Sequence, residues 1–544
     1  MRAYEFDKLP GFSKLFCDYI NHNPFFDERF PSNKLLNDNS IYLKSISDNY
    51  KNRNSIKSII EKSTNNIELN NKQKENLEKL GQPDTLTVVT GQQVGFLGGP
   101  LYTIIKIFTA INLANKLSNK YQDLNFIPVF WIEDNDHDNL EASQATIYNA
   151  EYELKHLSCM EGLSKEDRTC VSERKFDDSI FKAISNAIES LAESQFKESL
   201  INKLNTIYKP EIKWNDAFIS LLNSWFADKG LLYIKASEAR QSRLFRELIL
   251  KELENIGKTK QIINDANQKI EKSGYHIQAK AYEVNVFIHE NEKRYKIIKT
   301  KYDNLTFEYD SRLISLDELK QKAEKEPELF SPAVLMRPVF QDYILPTAVY
   351  IGGPSEIGYS TQIKELYDYF NVSMPAFLPR HSSTFINTQI QSFLEKQKIE
   401  PIYFTKQFDE IEKELNDILF DKEVEKVFEK ARKQINDNYE EIQNVLSKID
   451  ATLIRTGASA CHKSLENLLW LEKKVNSAQK RVNQLIYDKF RQISNYFFPE
   501  GTMQERMFSA INFMNEIGEE QILKMIDEFT KAEPERHYYL KMES

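Results

Sequence analysis

TLTVVTGQQVGFLGGPLYTIIKIFTAINLANKLSNKYQDLNFIPVFWIEDNDHDNLE, residues 85–141, is the stretch that decides the fold. Residues 85–90 are short, β-branched and apolar, as a strand buried on both faces must be. Residues 91–100 hold four glycines and a proline, so neither regular element continues through them. Pro100 suits a first helical turn, where its missing N–H breaks no helical bond. From Leu101 the apolar residues Ile104, Ile105, Phe108, Ile111 and Leu113 follow helical spacing, and residues 126–131 return to strand. The order is strand, Gly-rich loop, helix, strand, acidic loop. A right-handed crossover brings the two strands together in parallel. Both polar loops then lie at the C-terminal edge of the sheet, where open α/β sheets bind ligands.

At 544 residues the chain is too long for one core, and two or three units are expected. A net charge of -9 opposes general nucleic-acid binding, which depends on neutralising phosphates with Lys and Arg. A local basic pocket stays compatible with it. No apolar run is long enough to span a bilayer, and the start MRAYEFDKLPGFSKLF has no secretory pattern. Cys17, Cys159, Cys170 and Cys461 form no CxxC pair, which points to reduced thiols in a cytoplasm.

Residues 1–80 read as a helical preamble, with helices over 55–67 and 72–80. Residues 146–174 alternate as in a hairpin, and 176–204 and 214–227 are helical. Residues 230–234 form a further short strand, and 237–266 a charged helical region. Residues 275–289 and 294–309 alternate as antiparallel strands of a small insertion. A second strand–Gly-Gly-Pro–helix–strand unit runs from Thr347 through Gly352-Gly353-Pro354 to residues 375–378. Two such units are what a doubly wound sheet needs. From 408 to 497 glycine nearly vanishes. Phe428, Ala431, Ile435, Ile442, Val445 and Ile449 keep a heptad, as do Leu468, Leu471, Val475, Ala478, Val482 and Leu485. With a break over 450–459, this predicts an antiparallel helical hairpin. The tail has helices over 504–516 and 520–531 and a last strand over 537–540, and is expected to rejoin the core. The organisation is therefore a core over 1–389, with inserted segments over 146–330, an arm over 390–500 and a returning segment over 501–544.

Three groups of residues carry possible chemistry. The loop from Thr90 and Gly91 through Gly98 and Gly99 presents amides before a helix, where free N–H groups and the helix dipole favour an anion. Gln92 and Gln93 add amide groups. Lys106, on the face of Tyr102 and Thr103, is placed to reach a phosphate or carboxylate. Neither GxGxxG nor GxxxxGK[ST] is present, and a packed strand-to-helix turn is the alternative. The second group, Glu133-Asp134-Asn135-Asp136-His137-Asp138 with Glu141, crowds like charge. Crowding raises a carboxyl pKa and keeps the imidazole protonated, which suits base catalysis on an amine or capture of an ammonium. Mg²⁺ binding and a solvated loop with Asp138 as N-cap are the alternatives. In the third group Arg337 is a bidentate anchor for an anion, or the partner of Asp342. Gly352, Gly353 and Glu356 follow, Glu356 suiting a hydroxyl or amine, and Arg380 reaches the same edge.

VVTGQQVGFLGGPLYTIIKIFTA, PVFWIEDNDHDNLEA, GYHIQAKAYEVNVFI and RPVFQDYILPTAVYIGGPSEIGYSTQIKELYDYF resemble the bacillithiol biosynthesis cysteine-adding enzymes, the BshC family, over nearly the whole length. The resemblance implies a Rossmann-like α/β core with inserted connecting segments, and a coiled-coil arm that helps form a homodimer. It implies the last step of bacillithiol synthesis, in which cysteine acylates the amine of glucosaminyl malate. Carried over by motif, Thr90, Gly91, Gln92, Gln93, Gly98, Gly99, Tyr102 and Lys106 lie at the site, with Asp136, His137 and Asp138 opposite as the catalytic set. The family's run after this strand is of Gly-Glu-Asp-His-Asp type, of which this chain keeps the Asp-His-Asp core. A free carboxylate does not acylate an amine unaided, so ATP with Mg²⁺ is the expected activator, and no tightly bound metal is expected. A nucleotide-binding scaffold, and a hydrolase with metal on Asp134, Asp136, His137 and Asp138, are the competing readings.

Overall fold

A computed structural model describes residues 2–38, 40–300, 306–419 and 422–542. The core sheet has five parallel strands: β1 (Thr85–Gln93), β2 (Asn125–Glu133), β3 (Leu232–Lys235), β4 (Thr347–Gly352) and β5 (Ala376–Pro379). Their order is β5-β4-β1-β2-β3. This is the doubly wound order, so the chain reverses direction across the sheet between β1 and β4. Register pairs Thr90 with Phe130 on one side and with Ile351 on the other.

Alternation along β1 feeds two cores. Leu86 and Val88 join Phe126 and Ile351 against Ala110, Ala114 and Leu117 of α1 (Tyr102–Lys120). Val89 joins Ile127, Val129 and Trp131 on the opposite face, against Ile56, Ile59, Ile60 and Leu77 of the helical preamble. Both faces are covered, which is why the strands read as continuous apolar runs. The preamble helices are Arg53–Ser63 and Asn71–Leu80, the second closed by an Asn70–Gln73 capping box.

Between β2 and β3 the predicted hairpin forms from Gln144–Tyr148 and Leu154–Ser158. The single helix expected over 176–204 is two, Ser179–Ser190 and Lys197–Ile207. α2 (Trp214–Phe226) then leads to β3. The charged region 237–266 falls into three helices, Ala236–Gln241, Arg246–Glu254 and Lys258–Lys272. In the insertion, pairing begins only at Val286–Glu290, because Gln278 and Ala279 donate their N–H groups to the Gln362 side chain instead of to a strand. Of the strand expected over 294–309, the part at 301–305 lies outside the described residues. After β4, α3 (Pro354–Ser360) and α4 (Lys364–Phe370) replace one expected helix. The tail rejoins the core: His537–Lys541 pairs in parallel with Ser382–Ile386 and antiparallel with Arg2–Tyr4.

The chain divides into two compact units, Met1–Gln397 with Thr502–Ser544, and Lys398–Gly501. The second unit is a helical hairpin of α5 (Lys422–Ile449) and α6 (Leu453–Phe497). The expected break over 450–459 is shorter, and Gly457 lies within α6. A Cβ there would stand 3.1 Å from Leu446 Cδ1, so glycine lets the two helices close on each other. Arg432 donates to Glu472 at 2.6 Å and Tyr439 bonds Ser464 at 3.0 Å across the pair. The heptad positions are only partly covered: Ile449, Val482 and Leu485 remain 71%, 80% and 81% exposed. A two-helix hairpin buries one strip of each helix, and these residues lie off that strip.

Candidate functional site

A cavity of about 350 Å³ opens at the C-terminal ends of β1, β2 and β4. It sits where the sheet reverses, the position at which this topology binds ligands. Its floor is Gly91, Gln92 and Gln93. A Cβ on Gly91 would lie 2.8 Å from Trp131 O, so only glycine fits there.

Four guanidinium groups line this cavity. Arg337 donates to Gln341 Oε1 at 2.9 Å and to the hydroxyls of Tyr359 at 2.8 Å and Tyr350 at 3.3 Å. The alternative Arg337–Asp342 pair does not form, because Asp342 accepts from Tyr367 at 2.5 Å and from Gln341 at 3.1 Å. Arg380 lies over the Tyr102 ring at 5.0 Å and is fixed by Glu505 at 2.7 Å, both charges fully buried. Arg294 donates to Pro332 O at 2.8 Å and to Asp136 at 3.4 Å. Arg506 is exposed at the rim, 5.9 Å from the centre of the Tyr102 ring. Burial pushes the Tyr102 phenol up to about 12, although Arg506 and Arg380 act to lower it.

Carboxylates face them. Asp136 accepts from Gln93 Nε2 at 2.9 Å, joining the acidic loop to the Gly-rich one. Glu133 receives the Trp131 indole N–H at 3.2 Å, and burial raises its pKa against the pull of Arg337 and Arg294. Glu141 is exposed, yet partial burial of its carboxyl raises its pKa, with Asp138 and Asp136 adding to it. Glu356 is tied on both oxygens. One accepts from Tyr350 at 2.6 Å, and the other from Gly353 N–H at 2.7 Å and Lys106 at 2.6 Å. Burial is the largest influence and works against its charge, yet Lys106, Tyr350 and the Gly353 N–H together hold its pKa below the usual range.

Several expected site residues stand elsewhere. Lys106 is 1% exposed and lies beneath the cavity, donating to Gly91 O at 2.5 Å and to Glu356. Its ammonium ties the two halves of the sheet together and does not reach the cavity wall. Burial lowers its pKa, opposed by Glu356. Thr90 bonds Ile351 O at 2.9 Å, joining β1 to β4. The amide cradle of the Gly-rich loop is not open. Leu101 N–H donates to Phe508 O at 2.8 Å, Pro100 bridges to Ser509, and Gly98 packs on Trp225. The returning tail covers that helix start, while Gly99 faces a smaller space beside it. Thr103 is buried, and its hydroxyl has no partner among the described residues. Gly352 ends β4 against Glu356 Cβ, whereas Gly353 lines the cavity.

Of the expected catalytic set Asp136, His137 and Asp138, only Asp136 lines the cavity, beside Glu133 and Glu141 of the same acidic stretch. Asp138 is exposed and caps the helix Asn139–Ser143, accepting from Glu141 N–H. His137 is half-buried, and burial lowers its pKa despite Asp136 at 3.7 Å, the reverse of the effect expected from acidic crowding. Asp134 is buried and accepts from Ser237 N at 2.8 Å, Ser237 Oγ at 2.6 Å and Asn215 at 2.8 Å. It is therefore unavailable to a metal. Among the described residues, no three His, Cys, Asp or Glu side chains are arranged to hold an ion.

Arg294 and Arg506 were not among the expected residues. One comes from the β insertion and the other from the tail, and neither sits in a motif that marks it.

Comparison with known proteins places this geometry in a family. The description "Bacillithiol biosynthesis BshC, N-terminal Rossmann-like domain" matches residues 1–381, and "Bacillithiol biosynthesis BshC, C-terminal coiled-coil domain" matches 383–542. A relative from Chloroherpeton thalassium is 30% identical over 473 residues, covering 84% of this chain and 83% of its own. One from Chlorobaculum tepidum is 28% identical over 534 residues, covering 93% of each. A third, from Salinibacter ruber, is 29% identical over 450 residues, covering 82% of this chain and 81% of its own. All three carry the name "Putative cysteine ligase BshC". With its doubly wound core, its helical hairpin and a family match over most of its length, the chain belongs to the bacillithiol biosynthesis BshC family.

Proposed function

We propose that the protein joins the cysteine carboxyl to the amine of glucosaminyl malate, forming an amide. One observation carries this reading: four guanidinium groups converge on one cavity in a chain of net charge -9. The malate part of the acceptor is a dianion, and Arg337 and Arg380 are held in fixed orientations that suit carboxylate oxygens. On the opposite wall Asp136 and Glu133 suit the acceptor's amine, Asp136 as the base that removes its proton and His137 as the group behind it. The names of the relatives agree with a ligase.

Amide formation needs an activated carboxyl, and ATP with Mg²⁺ on its phosphates is the activator we propose. The covered start of α1 offers no cradle for those phosphates. The metal-hydrolase alternative loses support through Asp134, whose oxygens are already bonded. No helix among the described residues is long and apolar enough to cross a membrane, and the four cysteines are free thiols, in keeping with a cytoplasmic protein. The exposed apolar residues of α5 and α6 support a homodimer through the arm.

The test is purified protein with glucosaminyl malate, cysteine and ATP, product read by mass spectrometry. A product heavier than the acceptor by one cysteinyl residue is expected. Formation without nucleotide removes the ATP step, and no product under any condition removes the ligase reading.

A further inference from the structure

On the other side of Gln92 and Gln93 lies a second chamber of about 270 Å³, walled by Gly99, Gln144, Ala145 and Met507. Gln92, Gln93, Glu141 and Arg506 line both spaces and form the partition between them. The chambers differ in how many charged groups they hold. The wider one is also bordered by Arg294, Arg337 and Arg380 and by Glu133, Asp136 and Glu356. The narrower one holds a single acid, Glu141, and a single base, Arg506. They are close enough for Arg506 to act on the ionisation of Glu141. Neither makes a salt bridge to another side chain among the described residues.

One acid and one base facing a small space are the complement of a zwitterion. An α-amino acid carries its ammonium and carboxylate on the same carbon, and each makes a charge-assisted bond to the opposite sign. Val94, Ala145 and Met507 add an apolar wall for a short side chain, and a thioether is a soft neighbour for a thiol. We propose that the narrower chamber is the amino-acid donor subsite, with Glu141 on the α-ammonium, Arg506 on the α-carboxylate and Met507 beside the thiol. Resting on the ligase reading above, this assigns the wider chamber to the dianionic acceptor. Because Arg506 stands in the partition, the donor's carboxyl lies next to the chamber that holds the acceptor's amine.

The test is ligand-observed NMR titration of the full chain, under reductant, with L-cysteine, N-acetyl-L-cysteine, which lacks the ammonium, and cysteamine, which lacks the carboxylate. Glu141→Gln is expected to weaken L-cysteine by at least about tenfold and N-acetyl-L-cysteine by less than about twofold. Arg506→Met is expected to weaken L-cysteine by at least about tenfold and to leave cysteamine within about twofold. Gln144 is exposed, so Gln144→Trp narrows the chamber from its open side without repacking the core. It is expected to abolish L-cysteine binding and to keep that of glucosaminyl malate. L-cysteine bound equally by wild type and all three variants overturns the subsite and leaves the ligase reading standing. So does equal weakening of L-cysteine and its truncated analogues. A wild-type protein that binds neither L-cysteine nor glucosaminyl malate overturns both.

Discussion

After β1 the chain runs through Gly98-Gly99-Pro100 into α1, and after β4 it runs through Gly352-Gly353-Pro354 into α3. In the first case the start of the helix is covered: Phe508 O takes the Leu101 N–H and Ser509 pairs with Pro100. In the second, Gly353, Pro354 and Ser355 face the cavity, and Glu356 folds back to cap its own helix. The same residue types lead into a helix in both places by different turns: Gly98 and Gly99 take positive φ (84° and 69°), whereas Gly353 is extended (φ -77°, ψ 173°). Exposure is decided by a segment some 400 residues away in sequence. Lys106 joins the two halves, its ammonium shared between Gly91 O after β1 and Glu356 after β4.

Breaking that joint has the largest expected effect. Lys106→Met leaves Glu356, 21% exposed on the cavity wall, without its cation, and loss of one partner of a buried pair costs about 3–5 kcal/mol, toward the low end here. Glu356→Gln strands the more deeply buried Lys106 and costs a similar amount. The double variant is expected to recover part of either loss. Denaturant unfolding of the four proteins measures the coupling, and strictly additive losses would show that the halves are not joined here.

The strands also differ in how the chain enters them. β1 follows exposed Asp84, whereas β4 follows Asp342, which is buried. Burial raises the Asp342 carboxyl from an ordinary 3.8 to about 6, although Tyr367, Thr347 and Gln341 oppose it. The folded state therefore binds this proton more tightly than the unfolded chain. The resulting stability is fully present below pH 3.8 and is lost as pH rises through about 6. The loss is on the order of 3 kcal/mol. Asp342→Asn carries no such proton. Unfolding free energies at pH 4 and pH 7 should fall more for wild type than for this variant, and parallel changes would contradict the assignment.

The open half is where the acceptor is read. Arg337→Met is expected to weaken glucosaminyl malate by roughly 10–100-fold, the worth of one or two charged hydrogen bonds. Arg337→Lys should rescue little, because Gln341, Tyr350 and Tyr359 take donors from a planar fork that an ammonium cannot reproduce. Calorimetric titration checks both, and full affinity in the lysine variant would reduce Arg337 to a point charge.

Much of the core was legible because it is written locally. The apolar run of β1, the helical spacing of α1 and the second Gly-Gly-Pro unit each appear within a few residues, and together they specify the doubly wound sheet. The cavity was legible only in part. Gly91, Gln93, Asp136 and Arg337 lie in the motifs that lead to it. Arg294 and Arg506 arrive through long-range folding, which no spacing encodes. Lys106 shows the opposite failure. A lysine on a helix beside a Gly-rich loop suggests a ligand contact, but Glu356, 250 residues later, holds it under the floor. The heptads misled differently: they identified the hairpin's helices, yet left Val482 and Leu485 outside its seam.

Asp138 gives the smallest effect and tests how the acidic loop should be read. By sequence it belongs with Asp136 and His137. In the structure its carboxylate accepts the Glu141 N–H and faces solvent, so its work is to start the helix that carries Glu141. Removing an N-cap costs about 0.5–2 kcal/mol, toward the low end for one this exposed. Asp138→Ala should therefore lower stability by about 1 kcal/mol, and Asp138→Asn, which keeps the acceptor oxygen, by less. Product formation should stay within about twofold for Asp138→Asn and fall by more than tenfold for Asp136→Asn, whose carboxylate lies on the cavity wall between Gln93 and Arg294. If Asp138→Asn instead lost activity as deeply as Asp136→Asn, the charge at 138 would belong to the reaction and not to the helix.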